Sequence, residues 1–309
     1  MIDDLDIPGV AQRSVASFDG TPLHVQIVDD APDERRPNLL LVNGLGATIT
    51  TWRLVIARFR SSFRIVCFDT RGLHRSGRPL GGKAALDVVD HARDVVAVAD
   101  AMGWQRFHAL GWSMGVQVLI EATRILRDRL ITLALHNGVA GRTFDDVLGN
   151  KGLGRLVDPL LAGFDRNVAT VARPIERAVA AAVDHRLFVL VAVRLGLAHP
   201  DIHAPTFRAA AQGFKDVDID VFVAILRHLG RHDGWDALAE IRSPVVVVAG
   251  ANDRMTPLST MRRMAALMPR GELAVLPAGS HYAALEVPDL FHDALLSFWQ
   301  RHGVFGEPA

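Results

Sequence analysis

The chain has 309 residues, half of them hydrophobic, and its 34 basic and 34 acidic side chains leave no formal net charge at pH 7. This composition excludes a disordered chain, and the length supports one large α/β domain or two small ones. The zero net charge removes any global argument for a nucleic acid or an anionic membrane as partner.

Strand and helix patterns alternate along most of the chain. Short continuous apolar runs, such as residues 38–42 and 64–68, are typical of strands buried on both faces of a parallel sheet. The expected strands cover residues 13–18, 23–28, 38–42, 64–68, 107–112, 130–136, 245–249 and 273–276. The expected helices cover residues 51–59, 85–102, 114–126, 259–268 and 290–301. This alternation predicts an α/β fold with a doubly wound, mostly parallel sheet.

Residues 141–236 interrupt this alternation. Strand-like runs are scarce there, and a helical pattern extends from Leu156 to Leu229. We therefore expect an inserted helical cap over 141–236 on a core formed by residues 1–140 and 237–309. Such a cap would lie over the carboxyl ends of the strands, where open α/β sheets bind ligands.

The N-terminal segment 1–6 is acidic and lacks the apolar core of a signal peptide. The most apolar helical stretch, 187–198, contains Arg194 and is shorter than the roughly 20 residues that span a bilayer. The only cysteine, Cys67, lies in an apolar run, which favours a buried structural thiol. We therefore expect a soluble, cytoplasmic protein without a membrane span.

A glycine-flanked serine gives the strongest local signal. Gly111, Ser113 and Gly115 follow an apolar strand and open a helix, which is the setting of the G-x-S-x-G nucleophile elbow. On so sharp a turn the serine hydroxyl is lifted clear of the sheet, beside a helix N-terminus that favours developing negative charge. Trp112, next to the serine, is interpreted as a packing residue or as a wall of the substrate pocket.

A serine needs a base to take its proton and a carboxylate to orient that base. Asp253 follows the expected strand 245–249, and His281 follows the strand 273–276. Both should emerge at the sheet edge that presents Ser113. Asp236 and Asp289 remain alternatives for the acid, although neither follows a strand.

Most of the thirteen histidines can be assigned other roles from their positions. His91, His292 and His302 fit exposed helix faces. His74 and His136 lie at strand ends near the expected site, so both are candidates for substrate contact.

The five motifs together resemble the α/β-hydrolase fold superfamily, specifically its capped serine-hydrolase, carboxylesterase-like branch, over about residues 20–303. The matching pieces are residues 42–46, 69–72 with 76–77, 111–115, 250–253 and 279–281. The resemblance implies that the backbone N–H groups of Leu45 and Met114 form an oxyanion hole.

The chain departs from the family pattern at two positions. The family usually has histidine where Asn43 stands, so we expect a re-tuned oxyanion loop, with Asn43 also a candidate for substrate contact. The run 43–47 is similar to intracellular polyhydroxyalkanoate depolymerases, which usually carry tryptophan at the position of Met114. His74 stands where the family commonly has glycine. The serine nucleophile disfavours the haloalkane dehalogenase and epoxide hydrolase branches, which need a carboxylate.

No metal or cofactor is expected. Residues 216–220 begin like a calcium loop but lack its glycine, and Arg227 stands where the bidentate glutamate belongs. No histidine–cysteine cluster has zinc spacing.

The sequence thus predicts a serine hydrolase that cleaves a carboxylic ester through an acyl-enzyme. Aromatic residues of the cap would line an apolar pocket, which suggests a hydrophobic acyl or alcohol part in a small-molecule or oligomeric ester substrate. These residues are Phe164, Phe188, Phe207, Phe214 and Phe222. The alternatives are the same triad on a polyester, thioester, lactone or carbon–carbon bond, acyl transfer, and a non-catalytic ligand receptor.

Overall fold

The structure is a computed structural model that describes residues 7–28, 35–145 and 151–305. Eight strands in these ranges form one sheet with the order β1-β2-β4-β3-β5-β6-β7-β8. The strands are β1 (Val10–Ala16), β2 (Pro22–Val28), β3 (Asn38–Val42), β4 (Arg64–Phe68), β5 (Phe107–Trp112), β6 (Leu130–His136), β7 (Val245–Gly250) and β8 (Gly271–Leu276). β2 is antiparallel to β1 and β4, and the other pairs are parallel. The predicted mostly parallel sheet is confirmed.

The continuous apolar strands lie at the centre of the sheet because both of their faces are covered. Every residue of β5 and β7 is buried. At the edge, β1 differs from the prediction: it ends at Ala16, since Ser17 N–H already donates to Thr21 O in the turn, and Phe18 lies beyond the strand with half its surface exposed.

Helices cover both faces of the sheet. One apolar layer contains side chains of α2 (Val88–Ala101), α3 (Met114–Leu126) and α9 (Leu258–Leu267). The other contains side chains of α1 (Arg53–Phe59), α10 (Ala283–Glu286) and α11 (Pro288–Arg301).

Two differences from the predicted helices have local causes. α2 begins at Val88 rather than at residue 85, because the Asp87 side chain accepts a hydrogen bond from Asp90 N–H and caps the helix. α10 has only four residues, too few for a helical period to register in the sequence.

Five α-helices of the described ranges follow β6 and precede β7. They are α4 (Lys151–Arg166), α5 (Val168–Asp184), α6 (Phe188–Arg194), α7 (Ala204–Ala211) and α8 (Ile219–Arg231). α8 joins the main core through Val221, Ile225 and Leu229, whereas α6 and α7 share a small separate cluster around Phe207. Residues 146–150, within the predicted cap, lie outside the described residues.

None of the helices in the described ranges combines the length and the apolar character needed to cross a bilayer. The Cys67 side chain is buried, as expected.

Two histidines that were expected on exposed helix faces are buried instead. His91 lies in α2 beside the buried Asp94, and His292 in α11 packs edge-on against Phe59. Each helix is covered more widely than its apolar stripe suggests. Burial, with a contribution from the charge of Arg71, lowers the pKa of His91 to about 3.

This burial makes the stability of the fold dependent on pH. Burial also lowers the pKa of His108 to about 4, whereas an unfolded histidine titrates near about 6.5. Between these values the unfolded chain binds protons that the folded chain does not. The free energy of unfolding should therefore fall as the pH drops from 6.5 towards 4, by up to about 1.4 kcal/mol per pH unit for each buried histidine.

Urea unfolding at pH 7 and at pH 5 measures this dependence. His108→Gln should show a weaker pH dependence than the wild type, while the matched change at the exposed His185, His185→Gln, should leave it unchanged. Equal pH dependence of the free energy of unfolding in all three proteins would contradict the conclusion that the burial of His108 contributes to it.

Candidate active site

The turn between β5 and α3 holds Ser113 in a strained backbone conformation. Its φ is +55° and its ψ is −114°, a region that a residue with a side chain rarely adopts. This conformation reverses the chain within one residue, so that β5 ends at Trp112 and α3 begins at Met114. Ser113 is therefore presented at the carboxyl edge of the sheet, as predicted.

The reversal requires glycine at position 115 because α3 starts directly against β3. A Cβ on Gly115 would overlap the carbonyl oxygen of Val42. Across the turn, a Cβ on Gly111 would come within 2.6 Å of the Gly115 carbonyl oxygen. The two glycines of the motif thus serve close packing of backbone on backbone.

The structure brings Ser113, His281 and Asp253 together. His281 Nε2 lies 3.0 Å from Ser113 Oγ, and His281 Nδ1 lies 2.8 Å from Asp253 Oδ2. The serine hydroxyl can donate to Nε2 while Nδ1–H donates to the carboxylate, so the three side chains form one hydrogen-bonded chain. Asp236, an alternative for the acid, instead forms a surface ion pair with Arg124.

The carboxylate of Asp253 is buried but well supplied with donors. It accepts from the N–H groups of Met255 and Thr256 at 2.8 and 3.0 Å and from the Thr256 hydroxyl at 2.5 Å. Burial raises the pKa of Asp253, but the charge of His281 and the hydrogen bonds from His281 and Thr256 outweigh it, so the pKa lies below its ordinary value. Asp253 therefore stays ionised at neutral pH.

The backbone at His281 is held by side chains from two other strands. Trp112 Nε1–H donates to His281 O at 2.9 Å. Asn137, directly after β6, donates from Nδ2 to Ser280 O at 2.6 Å and accepts from Gly250 N–H at 2.8 Å. Asn137 thus ties the end of β7 to the loop after β8, a role that was not predicted from the sequence. Its position one residue after an expected strand was the available signal.

The loop after β3 packs against Ser113. A Cβ on Gly44 would lie 3.3 Å from Ser113 Cβ and closer still to the Trp112 ring, so only glycine allows this approach. The N–H of Met114, in the first turn of α3, has no partner within its helix. The N–H of Leu45 donates to no backbone carbonyl among the described residues.

Asn43 holds this loop in place rather than contacting substrate. Its Nδ2 donates to Phe68 O at 2.9 Å, and its Oδ1 accepts from Trp52 Nε1–H at 2.7 Å. Both ends of the buried amide are thereby used. The expectation of substrate contact is corrected for this residue.

The two candidate histidines also lie away from the cavity wall. His136 is buried, bonds through Nδ1 to Val248 O at 3.0 Å and packs against Phe291; burial lowers its pKa to about 4. His74 adopts φ +53°, a left-handed conformation that favours glycine, which accounts for the family's preference at this position. Neither supports the expected substrate contact.

A cavity of about 690 Å³ opens above Ser113. Its floor consists of Leu45, Trp112, Ser113, Met114 and His281. Its upper wall consists of side chains from helices α4–α8 and the segments between them. Among the residues that the structure describes, no aspartate, glutamate, lysine or arginine lines it. Trp112 therefore fills both roles that the sequence analysis left open, packing residue and pocket wall.

The polar side chains of this wall are largely engaged with the protein. Gln117 donates to Gly141 O at 2.6 Å and accepts from the Thr143 hydroxyl, and Thr256 is bonded to Asp253. Tyr282 also lines the cavity. The cavity therefore offers a mostly apolar, uncharged surface around Ser113 and His281.

Among the described residues no cluster of three histidine, cysteine or acidic side chains could hold a metal ion. In the calcium-like run, Asp218 caps α8 by accepting from the N–H groups of Asp220 and Val221, and Asp220 pairs with Lys83.

Comparisons with known proteins agree with this architecture. A family model described as the alpha/beta hydrolase fold matches residues 37–288. A curated protein of Agrobacterium fabrum named "Putative carbamate hydrolase RutD" is 29% identical over 281 residues, which cover 86% of this chain and 94% of that protein.

Two solved structures share the fold. The enol-lactonase of Burkholderia xenovorans LB400 superposes with a TM-score of 0.72 at 21% identity, covering 93% of this chain and all of that one. An esterase from Exiguobacterium antarcticum has a TM-score of 0.71 at 17% identity, covering 94% of this chain and all of that one. The chain belongs to the alpha/beta hydrolase fold family, and it is a hydrolase.

The packing of α3 against β3 can be tested with one methyl group. Gly115→Ala should lower the free energy of unfolding by about 1–3 kcal/mol, because the Val42 backbone or the elbow must move. As a matched control, Gly163→Ala lies in α4 with no heavy atom near its new Cβ and should be neutral or stabilising by roughly 0.5–1 kcal/mol.

Urea unfolding curves of the two variants measure the difference. If Gly115→Ala were as stable as Gly163→Ala, the close contact between α3 and β3 would be refuted.

Proposed function

We propose that this hydrolase cleaves carboxylic esters that carry a hydrophobic acyl or alcohol part, with Ser113 as the nucleophile. The single observation that carries the proposal is the hydrogen-bonded chain from Ser113 Oγ through His281 to the buried carboxylate of Asp253. This arrangement supplies the nucleophile, the base and the orienting acid of acyl-transfer chemistry.

In the proposed first half-reaction, Ser113 Oγ attacks the carbonyl carbon while its proton passes to His281 Nε2. The N–H groups of Leu45 and Met114 donate to the oxyanion. The tetrahedral intermediate then expels the alcohol, which takes the proton from His281 and leaves an acyl-enzyme.

In the second half-reaction, water attacks the acyl-enzyme and gives its proton to His281. Ser113 leaves with that proton, and the carboxylic acid is released. The ionised Asp253 stabilises the imidazolium in both halves.

The cavity supports an apolar substrate. A charged group bound against this wall would lose its hydration without finding an opposite charge, which is costly. An alkyl or aryl group would instead gain free energy from burial. The volume of about 690 Å³ is in the range of pockets that enclose drug-sized ligands.

A carbamate is the second candidate, favoured by the name of the curated relatives. Its carbonyl carbon can be attacked by the same serine. The apolar wall favours a carbamate with an alkyl or aryl substituent over a small charged one.

Initial rates on p-nitrophenyl esters from acetyl to long acyl chains test the proposal. We expect medium or long chains to be favoured over acetyl, and a succinyl ester, with its carboxylate, to react far more slowly than the butyryl ester. Ser113→Ala should abolish turnover without unfolding the protein.

A p-nitrophenyl N-alkyl carbamate in the same panel tests the second candidate. A higher kcat/KM on this carbamate than on the best ester would favour carbamate hydrolysis over ester hydrolysis. Ester turnover that persists in pure Ser113→Ala protein would rule out the proposed nucleophile.

The orienting role of Asp253 gives a separate test. Asp253→Asn should lower kcat on the best ester by about 10⁴-fold, because an amide no longer fixes the tautomer of His281 or stabilises its charge. The matched change Asp236→Asn, at the surface partner of Arg124, should leave kcat unchanged. A kcat for Asp253→Asn near that of Asp236→Asn would show that another group orients His281.

A further inference from the structure

Exposed apolar side chains concentrate on one short stretch of the fold. In α6, the residue before it and the turn that follows it, five large aliphatic residues are between 37% and 64% exposed, and Met255 is 38% exposed. The five are Leu187, Leu190, Val191, Leu195 and Leu197. We call these six residues the α6 rim. A contiguous apolar surface on a soluble fold marks a site of interaction.

The α6 rim is continuous with the cavity above Ser113. Val191, Leu195, Leu197 and Met255 line the cavity and are also exposed, so they form the edge of its mouth. Leu187 and Leu190 extend the same apolar character outside the cavity.

The two faces of α6 differ in their packing, and the packed face explains why the α6 rim is exposed. Ala192 is buried, and Phe188 stacks on Phe207 with ring centroids 5.6 Å apart. Val189 and Val193 pack against the same small cluster. The helix is thus anchored by one face, while Leu187, Leu190 and Val191 on the other side are between 44% and 50% exposed.

Three exposed arginines lie in or beside the segment that carries the α6 rim. Arg186 and Arg194 are exposed and form no ion pair among the described residues. The exposed Arg254 lies against Gly196, in the same turn as Leu195 and Leu197.

Little acidic charge opposes these arginines nearby. Asp184 is already paired with Lys215 at 2.8 Å, which leaves Asp201 as the exposed acid of this stretch. The local charge is therefore positive although the chain as a whole is neutral.

We propose that the α6 rim docks on a lipid surface with anionic headgroups. The aliphatic side chains would enter the acyl boundary while the arginines meet the headgroup charge, which is the pattern of interfacial binding. In this orientation the mouth of the cavity faces the lipid phase, so an apolar molecule passes from the surface to Ser113 without crossing water.

The charges favour this occupant over two others. In a symmetric contact between two copies, the rim would face itself and bring the same arginines together, which is unfavourable. A neutral polymer surface would leave the arginines without partners.

Co-sedimentation with vesicles tests the docking. The wild type should bind vesicles that contain phosphatidylglycerol more tightly than pure phosphatidylcholine vesicles, and salt should weaken the binding. Leu187→Ser/Leu190→Ser, outside the cavity wall, should reduce binding about tenfold and retain hydrolysis of a short, water-soluble ester. Arg186→Gln/Arg194→Gln should lose the preference for anionic vesicles.

The matched control is Leu80→Ser/Leu160→Ser. It removes two leucines that lie outside the α6 rim and are more exposed than Leu187 and Leu190. It should bind as the wild type does. Equal loss in both leucine variants, or no binding by the wild type, would overturn the proposal. So would a wild-type dimer in light scattering that Leu187→Ser/Leu190→Ser dissociates, because the rim would then join two copies.

The docking test is independent of the proposed chemistry. Ser113→Ala should bind vesicles as the wild type does, so a failure of ester hydrolysis and a failure of docking are seen in different measurements.

Discussion

The contact between Gly115 and the Val42 carbonyl is the constraint from which the site follows. It lets α3 begin one residue after β5, and that reversal sets the unusual backbone angles of Ser113. The same closeness brings the loop after β3 against the serine, where Gly44 meets Ser113 Cβ. One backbone-on-backbone contact thus positions both the proposed nucleophile and the proposed oxyanion donors.

The second requirement of the site is a buried charge in an apolar environment. No charged side chain in the described part of the chain lines the cavity, and the charge of Asp253 reaches Ser113 through His281. Four donors surround that carboxylate, two of them backbone N–H groups, which explains how it remains ionised despite its burial. The apolar wall and the single buried charge are complementary parts of one design, because low polarity strengthens the interaction between Asp253 and an imidazolium.

The sequence was sufficient for the sheet and for the meeting of Ser113, Asp253 and His281, since each of the three follows an apolar strand and parallel strands end at one edge. It was not sufficient for Asn137, whose amide joins the end of β7 to the loop after β8. The burial of His91 and the hydrogen bonds of Asn43 depend on which other elements pack over these residues. The apolar periodicity of the sequence indicates only the core-facing side of an element, so it could not predict them. The exposed side of α6 was hidden for the same reason: its apolar residues suggest a core, and only the assembled fold shows how much of their surface the described residues leave exposed.

The order of the strands has a consequence for how the molecule is made. β6 pairs with β7, yet all the helices from α4 to α8 are synthesised between these two strands. During translation β6 therefore has an open, hydrophobic edge until more than a hundred further residues have emerged. Ser113 and His281 are 168 residues apart, so the nascent chain carries the proposed nucleophile long before its proposed base has been synthesised. Such non-local pairing slows folding and exposes an edge that invites aggregation, which makes the C-terminal quarter of the chain the part that completes both the fold and the site.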